Sequence, residues 1–196
     1  MLDCRLQEAN LEGSQVRLEP LDQAHAQGLF VRGRHQPDWA YMPRGCFVDL
    51  ADTRQWIDEA RGSEGQQPFA IVETAKNKVA GSTRFLNFRP EHRSVEIGWT
   101  WLGQDWQRTG VNTEAKLLLL GHAFERMGCV RVEFKADARN LRSQRALERI
   151  GATREGVLRQ HMIVQDDFVR DSVYFSVLDK EWAAVKDRLQ LLLEQR

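Results

Sequence analysis

The sequence predicts a mixed α/β (α+β) sheet fold in one domain. Segments typical of strands come first and are joined by short turns, which favours antiparallel pairing. Residues 96–152 then read strand, turn, helix, strand, helix, which favours a helix-connected part of the same sheet. The 196 residues suffice for one substantial core, so we expect one domain over residues 1–196, with its core at about 16–178 and a C-terminal helix at about 180–195.

Composition and charge exclude several classes of partner. Apolar residues make up 42% and charged residues 29%, as in ordinary globular domains. Lys plus Arg and Asp plus Glu both number 28, so no overall charge draws the chain to nucleic acid or to anionic lipid. No apolar run reaches the roughly 18 residues of a membrane span, and the N-terminus lacks the features of a signal peptide. We expect a cytoplasmic protein with no nucleic-acid or membrane partner.

The cysteines indicate neither a disulfide framework nor a metal. Cys4, Cys46 and Cys129 are odd in number and form no CxxC pair. We interpret them as reduced thiols and expect no metal site.

The N-terminal quarter begins with an alternating segment, Val16–Leu21, that predicts the first strand, and an Ala-rich helix is expected at about 23–34. Residues 35–50 contain two prolines and no clear period, which indicates a loop or a short broken helix. Aromatic side chains exposed on a long loop often line a pocket. Trp39 and Tyr41 are therefore candidates for the wall of a substrate site.

The next elements are a helix and an antiparallel strand pair. A helix at about 52–62 carries Trp56, Ile57 and Ala60 on one face. Residues 68–73 and 79–86 are typical of two strands joined by a turn. A third strand is predicted at 93–101, and its alternation assigns Val95, Ile97, Trp99 and Trp101 to one face and Glu96, Gly98 and Thr100 to the other.

A short polar turn, Gln107–Thr113, leads directly into an apolar helix at about 115–127. The first N–H groups of a helix have no partner within the helix, and the positive end of its dipole lies there. The turn therefore predicts an anion site. Beyond it we expect the following elements: a strand at 131–136, a helix at 143–150, a strand at 170–178, and a last helix carrying Trp182, Val185, Leu189 and Leu192 at helical spacing.

Several common phosphate and hydrolase motifs are absent from the sequence. It contains no GxxxxGK[ST], no GxGxxG with a suitably placed acidic residue, and no GxSxG elbow. The remaining pattern is Gln107-x-x-Gly110-x-Asn112, with Asn140 and Ser143 after the next strand and Gly151 closing the following helix. At these residues the chain resembles the GNAT superfamily of acetyl-CoA-dependent N-acetyltransferases, and within it the branch of ribosomal-protein alanine N-acetyltransferases.

The resemblance extends from Val16 to about Leu178, and it implies a mostly antiparallel sheet with one splayed parallel pair and helices on both faces. It also implies acetyl-CoA as the cosubstrate. The coenzyme would contact the edge of the third strand, the polar turn and the start of the later helix, that is, Trp99, Thr100, Trp101, Gln107, Arg108, Thr109, Gly110, Val111, Asn112, Thr113, Asn140 and Ser143. Asn112 stands where the family pattern has a small residue.

Three residues are candidates for proton transfer. An attacking amine must lose a proton, and Glu96, which also belongs to the expected substrate site, is the candidate base; its simpler role is a solvated or ion-paired glutamate. Family members often have a tyrosine acid where this chain has Leu147, so Ser143 is the candidate acid, although it could simply cap the helix. Tyr174 is an alternative acid, whereas we expect His122 to be a packing residue.

Three hypotheses follow from the sequence. The first is an enzyme that transfers acetyl from acetyl-CoA to a primary amine, on a peptide N-terminus or a small molecule, by direct attack in a ternary complex. The second is a non-catalytic acyl-CoA sensor, which the missing tyrosine and Asn112 favour. The third is an oligomerisation module, or a homodimer contact, built on the apolar stripe of the last helix.

Overall fold

The structure is a computed structural model that describes Leu6 and residues 9–195. Its strands are β1 Leu11–Glu12, β2 Val16–Pro20, β3 Gln67–Glu73, β4 Lys78–Arg89, β5 Ser94–Leu102, β6 Arg131–Asp137, β7 Thr153–Ile163 and β8 Val169–Leu178. Its α-helices are α1 Ala26–Arg32, α2 Leu50–Gly62, α3 Val111–Gly121, α4 Leu141–Ile150 and α5 Trp182–Glu194. No helix of the described residues is long and apolar enough to cross a bilayer.

One mixed sheet contains all of these strands, in the order β1-β2-β3-β4-β5-β6-β8-β7. Only β5 and β6 are parallel neighbours, and their pairing joins Ser94 to Arg131, Val95 to Val132 and Glu96 to Glu133. Both strands continue well past this point, so they separate toward their C-terminal ends. The predicted mixed sheet with one splayed parallel pair is confirmed.

Helices cover both faces of the sheet, and each face has its own core. The first cluster packs α3, α4 and α5 against the sheet and includes Leu119, Leu147, Ile150, Val185 and Leu189. The second packs α1 and α2 against the other face and includes Leu29, Trp56 and Ile57. Burying each such side chain contributes about 1.5–3 kcal/mol. The stripe predicted on the last helix therefore packs inside this chain, where Trp182, Val185 and Leu189 are buried.

A buried carboxylate fixes the first turn of α3 to the beginning of β2. Glu114 accepts hydrogen bonds from the backbone N–H groups of Ser14, Gln15 and Val16 at 2.9, 2.6 and 2.7 Å. It also accepts one from the Ser14 hydroxyl at 2.7 Å. Charge-assisted bonds of this kind are among the strongest in proteins. They hold the N-terminus of α3 in place beside the sheet.

The alternation predicted for β5 is wrong beyond Gly98 because the strand contains a bulge. Gly98 pairs with Arg84 and Trp101 with Ser82, so two residues of β5 oppose one residue of β4. Trp99 adopts a positive φ of 50° at this point. After the bulge Trp101 joins the second core cluster, whereas Val95 and Ile97 belong to the first.

Other elements differ from expectation at their ends or were not predicted at all. The first helix begins with a 3-10 turn at Gln23–His25, and α2 begins at Leu50 because Asp49 is its N-cap. The apolar helical run closes with a π-helical turn, His122–Arg126. Strands β1 and β7 were missed; β7 is an edge strand with mostly exposed side chains, so it lacks the buried alternation that would have revealed it.

Candidate active site

A cleft of about 490 Å³ opens where β5 and β6 separate. Its walls come from the C-terminal halves of these two strands, the turn before α3, the beginning of α4, and the loop after α1. Since the parallel pairing ends at Glu96 and Glu133, the later residues of β5 turn a strand edge toward the cleft. Backbone groups on such an edge require partners from a ligand or from water.

The N-terminus of α3 forms one end of the cleft. Its N-cap is Gly110, which supplies no side-chain hydrogen bond. The Val111 N–H donates to Thr109 Oγ1 at 3.3 Å, so the N–H groups of Asn112 and Thr113 are the ones left for a ligand. The preceding turn reverses at Arg108, whose φ is 61°. Within it the Thr109 hydroxyl donates to the Trp106 carbonyl at 2.7 Å. The geometry of an anion site is present here.

The residues of the turn divide into two groups. Gln107, Arg108, Thr109 and Asn112 line the cleft, whereas Gly110, Val111 and Thr113 do not. The Gln107 side chain makes structural hydrogen bonds, since its amide nitrogen donates to Asp38 Oδ1 at 2.8 Å and to the Leu102 carbonyl at 3.0 Å. The Asn112 Oδ1 atom is buried without a hydrogen-bond partner among the described residues.

Three arginines that sequence reasoning missed line the same end of the cleft. Arg142, Arg145 and Arg149 all lie on α4. Their spacing of three and four residues was a visible signal, because it places side chains on one face of a helix. Arg142 Nη1 donates to Gln107 Oε1 at 3.0 Å, so α4 reaches the polar turn. These guanidinium groups and the α3 N-terminus suit a ligand with several negative charges, such as coenzyme A.

Asn140 and Ser143 both lie at the beginning of α4 and line the cleft. The Asn140 side chain is the N-cap and accepts from the Ser143 N–H at 3.0 Å, so the capping role considered for Ser143 belongs to Asn140. The Ser143 side chain lines the cleft. No described residue forms a hydrogen bond with its hydroxyl. Gly151 ends the helix with a φ of 97°, a conformation that favours glycine.

The bulge in β5 organises the middle of the cleft. Trp99, Thr100 and Trp101 all line it, and the Trp99 ring lies 4.6 Å from the Arg84 guanidinium. On the α3 side, Lys116 Nζ donates to Thr100 Oγ1 at 2.8 Å. Burial lowers the pKa of Lys116 from 10.5 to about 7, because charging an amine inside the protein is unfavourable. Sequence reasoning missed Lys116, since its position in an apolar helix gave no signal of function.

Near the cleft, β5, β6 and β8 carry polar side chains on the side of the sheet that faces the second core cluster. We call this surface the polar face, and it consists of Glu96, Lys135, Asp137, Arg170 and Tyr174. Glu96 is 2% exposed and lines the cleft. Its Oε2 atom accepts from Asn87 Nδ2 at 2.8 Å, and its Oε1 atom lies 3.6 Å from Lys135 Nζ. The carboxylate is thus held at the cleft by two neighbours.

Tyr174, on the polar face, and His161 lie close together outside the cleft. The Tyr174 hydroxyl is 3.5 Å from His161 Nε2, and neither side chain lines the cleft. Burial raises the pKa of Tyr174 and, together with Lys135 and Arg170, lowers that of His161. Tyr174 is therefore less well placed than Ser143 to reach a ligand in the cleft. His122 also lies away from the cleft, stacked on Phe85 with ring centroids 6.1 Å apart.

The two aromatic residues expected on the loop after α1 have different environments. Tyr41 lines the cleft, near Arg139, whose guanidinium carbon lies 5.6 Å from the ring. The prediction that Trp39 is exposed on the wall of the site is wrong, because Trp39 is 0% exposed and packs against Phe47 and Trp101. It supports the cleft from behind. A large apolar side chain in a loop can be buried whenever the loop closes over a core, which its sequence did not show.

No group of three or more His, Cys, Asp or Glu side chains that could hold a metal occurs among the described residues. Cys46 and Cys129 are free thiols, and Cys4 lies outside the described part of the chain.

Comparison with known proteins gives the family. Residues 15–153 match the model of the acetyltransferase (GNAT) domain. The chain belongs to the GNAT acetyltransferase family. It is therefore an acetyl-CoA-dependent N-acetyltransferase, and the cosubstrate that this family uses has the charges that the α3 end of the cleft can accept.

Solved structures share the complete fold of this GNAT acetyltransferase. A GCN5-related N-acetyltransferase from Brucella melitensis is 34% identical with a TM-score of 0.92, covering 96% of this chain and 86% of that one. A structure from T. thermophilus, assigned as an acetyltransferase, is 39% identical with a TM-score of 0.89, covering 96% of this chain and 99% of that one. Among curated relatives, Bacillus subtilis YdaF, which is named as a ribosomal N-acetyltransferase, is 32% identical over 55% of this chain and 58% of its own length.

Proposed function

We propose that this acetyltransferase acts on a primary amine, on a protein N-terminus or a small molecule, by direct attack in a ternary complex. The observation that carries the proposal is the separation of β5 from β6, which opens onto the N-terminus of α3 at one end and onto Glu96 on the polar face. Both substrates can therefore meet without a covalent enzyme intermediate. The relative named for ribosomal acetylation favours a protein amine as one acceptor class.

The coenzyme end would work through backbone groups and arginines. We assign the pyrophosphate of acetyl-CoA to the turn from Gln107 to Thr113, with Arg108 adding a charge-assisted contact. Asn140 and Ser143 border it at the beginning of α4. The edge of β5 from Trp99 to Trp101 would pair with the pantetheine arm, and a backbone N–H of this edge would stabilise negative charge on the acetyl oxygen.

Glu96 and Ser143 would handle the protons. An amine at its usual pKa is protonated near neutral pH, so Glu96 accepts its proton, directly or through one water. Lys135 and Asn87 hold the carboxylate in position. The new bond joins the amine nitrogen to the acetyl carbon while the carbon–sulfur bond breaks. The departing sulfur takes a proton from the Ser143 hydroxyl or from water.

The proposal is tested by measuring thiol release from acetyl-CoA in the presence of amines. The panel contains peptides with free N-termini, amino acids, polyamines and aminoglycosides. We expect amine-dependent thiol release with at least one class, with a stoichiometric N-acetyl product seen by mass spectrometry. Tight binding of acetyl-CoA in calorimetry, with no amine raising thiol release above background, would instead identify a binding module.

A further inference from the structure

Arg170 lies on the polar face of the cleft but is not used by the proposed chemistry. It lies on β8, opposite Met162 of β7, and it is 5% exposed. Its side chain nevertheless lines the cleft, together with Glu96 and Met162. A guanidinium is always charged near neutral pH. A charged, almost fully buried group therefore faces the space available to the acceptor.

The protein supplies this guanidinium with few partners. Among the described residues, Nη1 reaches the Tyr41 carbonyl only at 3.5 Å, the outer limit of a hydrogen bond. The Nε atom is buried without any hydrogen-bond partner, and it lies 4.0 Å from Asp137 Oδ2. The Nη2 atom has no hydrogen bond to a described residue and is not fully buried, so it has accessible surface on a residue that lines the cleft.

The nearest carboxylate already belongs to another arginine. Asp137 accepts from Arg139 at three donors, the backbone N–H at 2.8 Å, Nε at 3.0 Å and Nη2 at 2.8 Å. Burial alone would raise the pKa of Asp137, but these bonds hold it below its usual value. Asp137 is thus neutralised chiefly by Arg139. The charge of Arg170 is left without a close counterion of its own.

A buried charge without a counterion is unfavourable, and a ligand can relieve it. A neutral carbonyl would satisfy donors but leave the charge uncompensated. A carboxylate does both, because its two oxygens match the planar fork of a guanidinium. Burial lowers the pKa of Arg170, whereas the charges of Asp137 and Glu96 raise it, which places Glu96 within electrostatic reach of this arginine. One molecule could therefore present its amine to Glu96 and an anionic group to Arg170.

We propose that Arg170 is a specificity-determining residue that receives a carboxylate carried by the amine acceptor. The inference rests on the proposed function, since it assumes that the acceptor enters on the polar face. It narrows the substrate class to amines that carry a carboxylate in the same molecule. The separation of the amine and the carboxylate in the preferred acceptor must match the space between Glu96 and Arg170.

The experiment compares acceptors that differ only in the carboxylate. The ω-amino acids from glycine to 6-aminohexanoate are each paired with the alkylamine of equal length, and dipeptides with a free C-terminus are paired with their amides. We expect the wild type to prefer the carboxylate member of at least one pair by about tenfold or more in kcat/KM, the scale of a hydrogen bond to a charged group. The chain length that gives the largest preference reports the spacing.

Variants then assign the preference to Arg170. We expect Arg170→Gln to raise KM for the preferred carboxylate about tenfold or more with little change in kcat or in the rate with its amine partner, and Arg170→Lys to retain part of the preference. Arg159→Gln, at an exposed arginine of β7, is the matched control and should behave as wild type. Thermal unfolding of each variant confirms that it is folded.

Different failures have different meanings. If amines are acetylated but acids, amides and alkylamines react equally, the inference about Arg170 is overturned while the proposed function stands. The inference is also overturned if Arg170→Gln slows both members of a pair to the same extent, which is the signature of a structural role. If only amines without a carboxylate, such as polyamines, support thiol release, the inference alone is overturned. If no amine in these series or in the wider panel supports thiol release, the proposed function fails and this inference fails with it.

Discussion

Two buried charged side chains on either side of β5 have opposite surroundings. Glu96 has an amide donor from Asn87 and a cation, Lys135, beside it. Among the described residues Lys116 has one hydrogen-bond partner, the Thr100 hydroxyl, and burial alone lowers its pKa. A charge with partners can be kept ready for proton transfer, whereas one without partners is a cost to the fold. This contrast supports the proposal that Glu96 acts as the base, and it predicts that Lys116 lowers the stability of the fold.

Replacing Glu96 with glutamine tests its role as the base. Glutamine preserves the size of the side chain and can still accept from Asn87, but it cannot take up a proton. We expect Glu96→Gln to lower kcat by about a hundredfold or more and to leave the affinity for acetyl-CoA unchanged in calorimetry. Glu133→Gln is the matched control, because Glu133 pairs with Glu96 across the strands but does not line the cleft. Full activity of Glu96→Gln between about pH 6 and pH 9 would remove Glu96 as the base.

Replacing Lys116 tests the effect of a buried amine on stability. The folded-state pKa is about 7, below the ordinary value of 10.5, so between these values the unfolded chain binds a proton that the folded chain has released. This group therefore makes stability rise with pH across that window, and below it the folded protein bears the full cost of a buried charge. We expect Lys116→Met to increase the free energy of unfolding by about 3 kcal/mol at pH 7 and below, with the gain fading toward about pH 10.5.

Urea unfolding at neutral and alkaline pH measures this difference. Thr100 keeps a partner in the variant, because its hydroxyl also lies 2.8 Å from that of Thr83. Lys76→Met, at an exposed lysine, is the control and should leave stability nearly unchanged at every pH. A variant that is less stable than wild type at pH 7 would show that the Lys116 hydrogen bond outweighs its burial.

At the scale of elements, the N-termini of two helices border the same end of the cleft in different states. Asn140 caps α4, so one of its first N–H groups is already satisfied. In α3 the Val111 N–H donates to Thr109 Oγ1 in the preceding turn, and Glu114 in the first turn is directed away, toward β2. The N–H groups of Asn112 and Thr113 are then the ones available to an anion, and the arginines of α4 supply positive charge at the same end of the cleft. This arrangement supports the assignment of the coenzyme end to both helices.

A bulky residue at Gly110 tests the assignment of the coenzyme end. Gly110 has an ordinary helical φ of −68°, so Gly110→Trp requires no strained backbone. A Cβ atom there would lie 2.3 Å from Gln15 Oε1, the tip of a flexible side chain that can move aside. Because Gly110 does not itself line the cleft, we expect the indole to act by shifting the turn before α3, which weakens acetyl-CoA binding in calorimetry by about tenfold or more.

Gly62→Trp is the control for this prediction. Gly62 ends α2, and a Cβ atom there meets nothing within 4 Å. The same substitution at that position should leave coenzyme affinity at the wild-type value. Equal affinities for both variants and the wild type would contradict the assignment of the turn to acetyl-CoA.

At the scale of the whole molecule, strong local patterns predicted the fold and non-local contacts account for what was missed. The apolar run after Thr113 and the alternation of Val173, Phe175 and Val177 correctly predicted a helix and a buried strand. The bulge at Trp99 was not predictable, because one extra residue reverses a strand's faces without a compositional mark. The burial of Trp39 likewise depends on where a loop closes.

The candidate site was predictable to a similar extent. The turn, Asn140 and Ser143 came from a local pattern, and the structure brings them to one cleft. Lys116 and Arg170 were not found, because their interest arises from burial and from missing partners, which are properties of the assembled fold. A sequence can indicate a helix N-terminus, but it cannot show which charged groups are buried with few hydrogen-bond or ion-pair partners.

The single-domain expectation can be tested by unfolding. Two core clusters share one sheet, so we expect them to unfold together. Trp39, Trp56 and Trp101 report on the second cluster, and Trp106 and Trp182 report on the first, so the two substitutions change the share of fluorescence that each cluster contributes. Urea curves of Trp56→Phe and Trp182→Phe, each followed by fluorescence and by far-ultraviolet circular dichroism, should give one midpoint per variant. Separate fluorescence and dichroism midpoints within one variant would indicate two units.

The bonds between Glu114 and residues 14–16 also govern when the site can form. They join groups that are 98 to 100 residues apart in the chain. Closing so large a loop is entropically costly, and contacts of this separation form late in folding. A refolding chain can therefore build its helices and hairpins early and still be unable to hold coenzyme. Recovery of acetyl-CoA binding would lag behind recovery of secondary structure, so the rate at which binding returns would report the last step of folding.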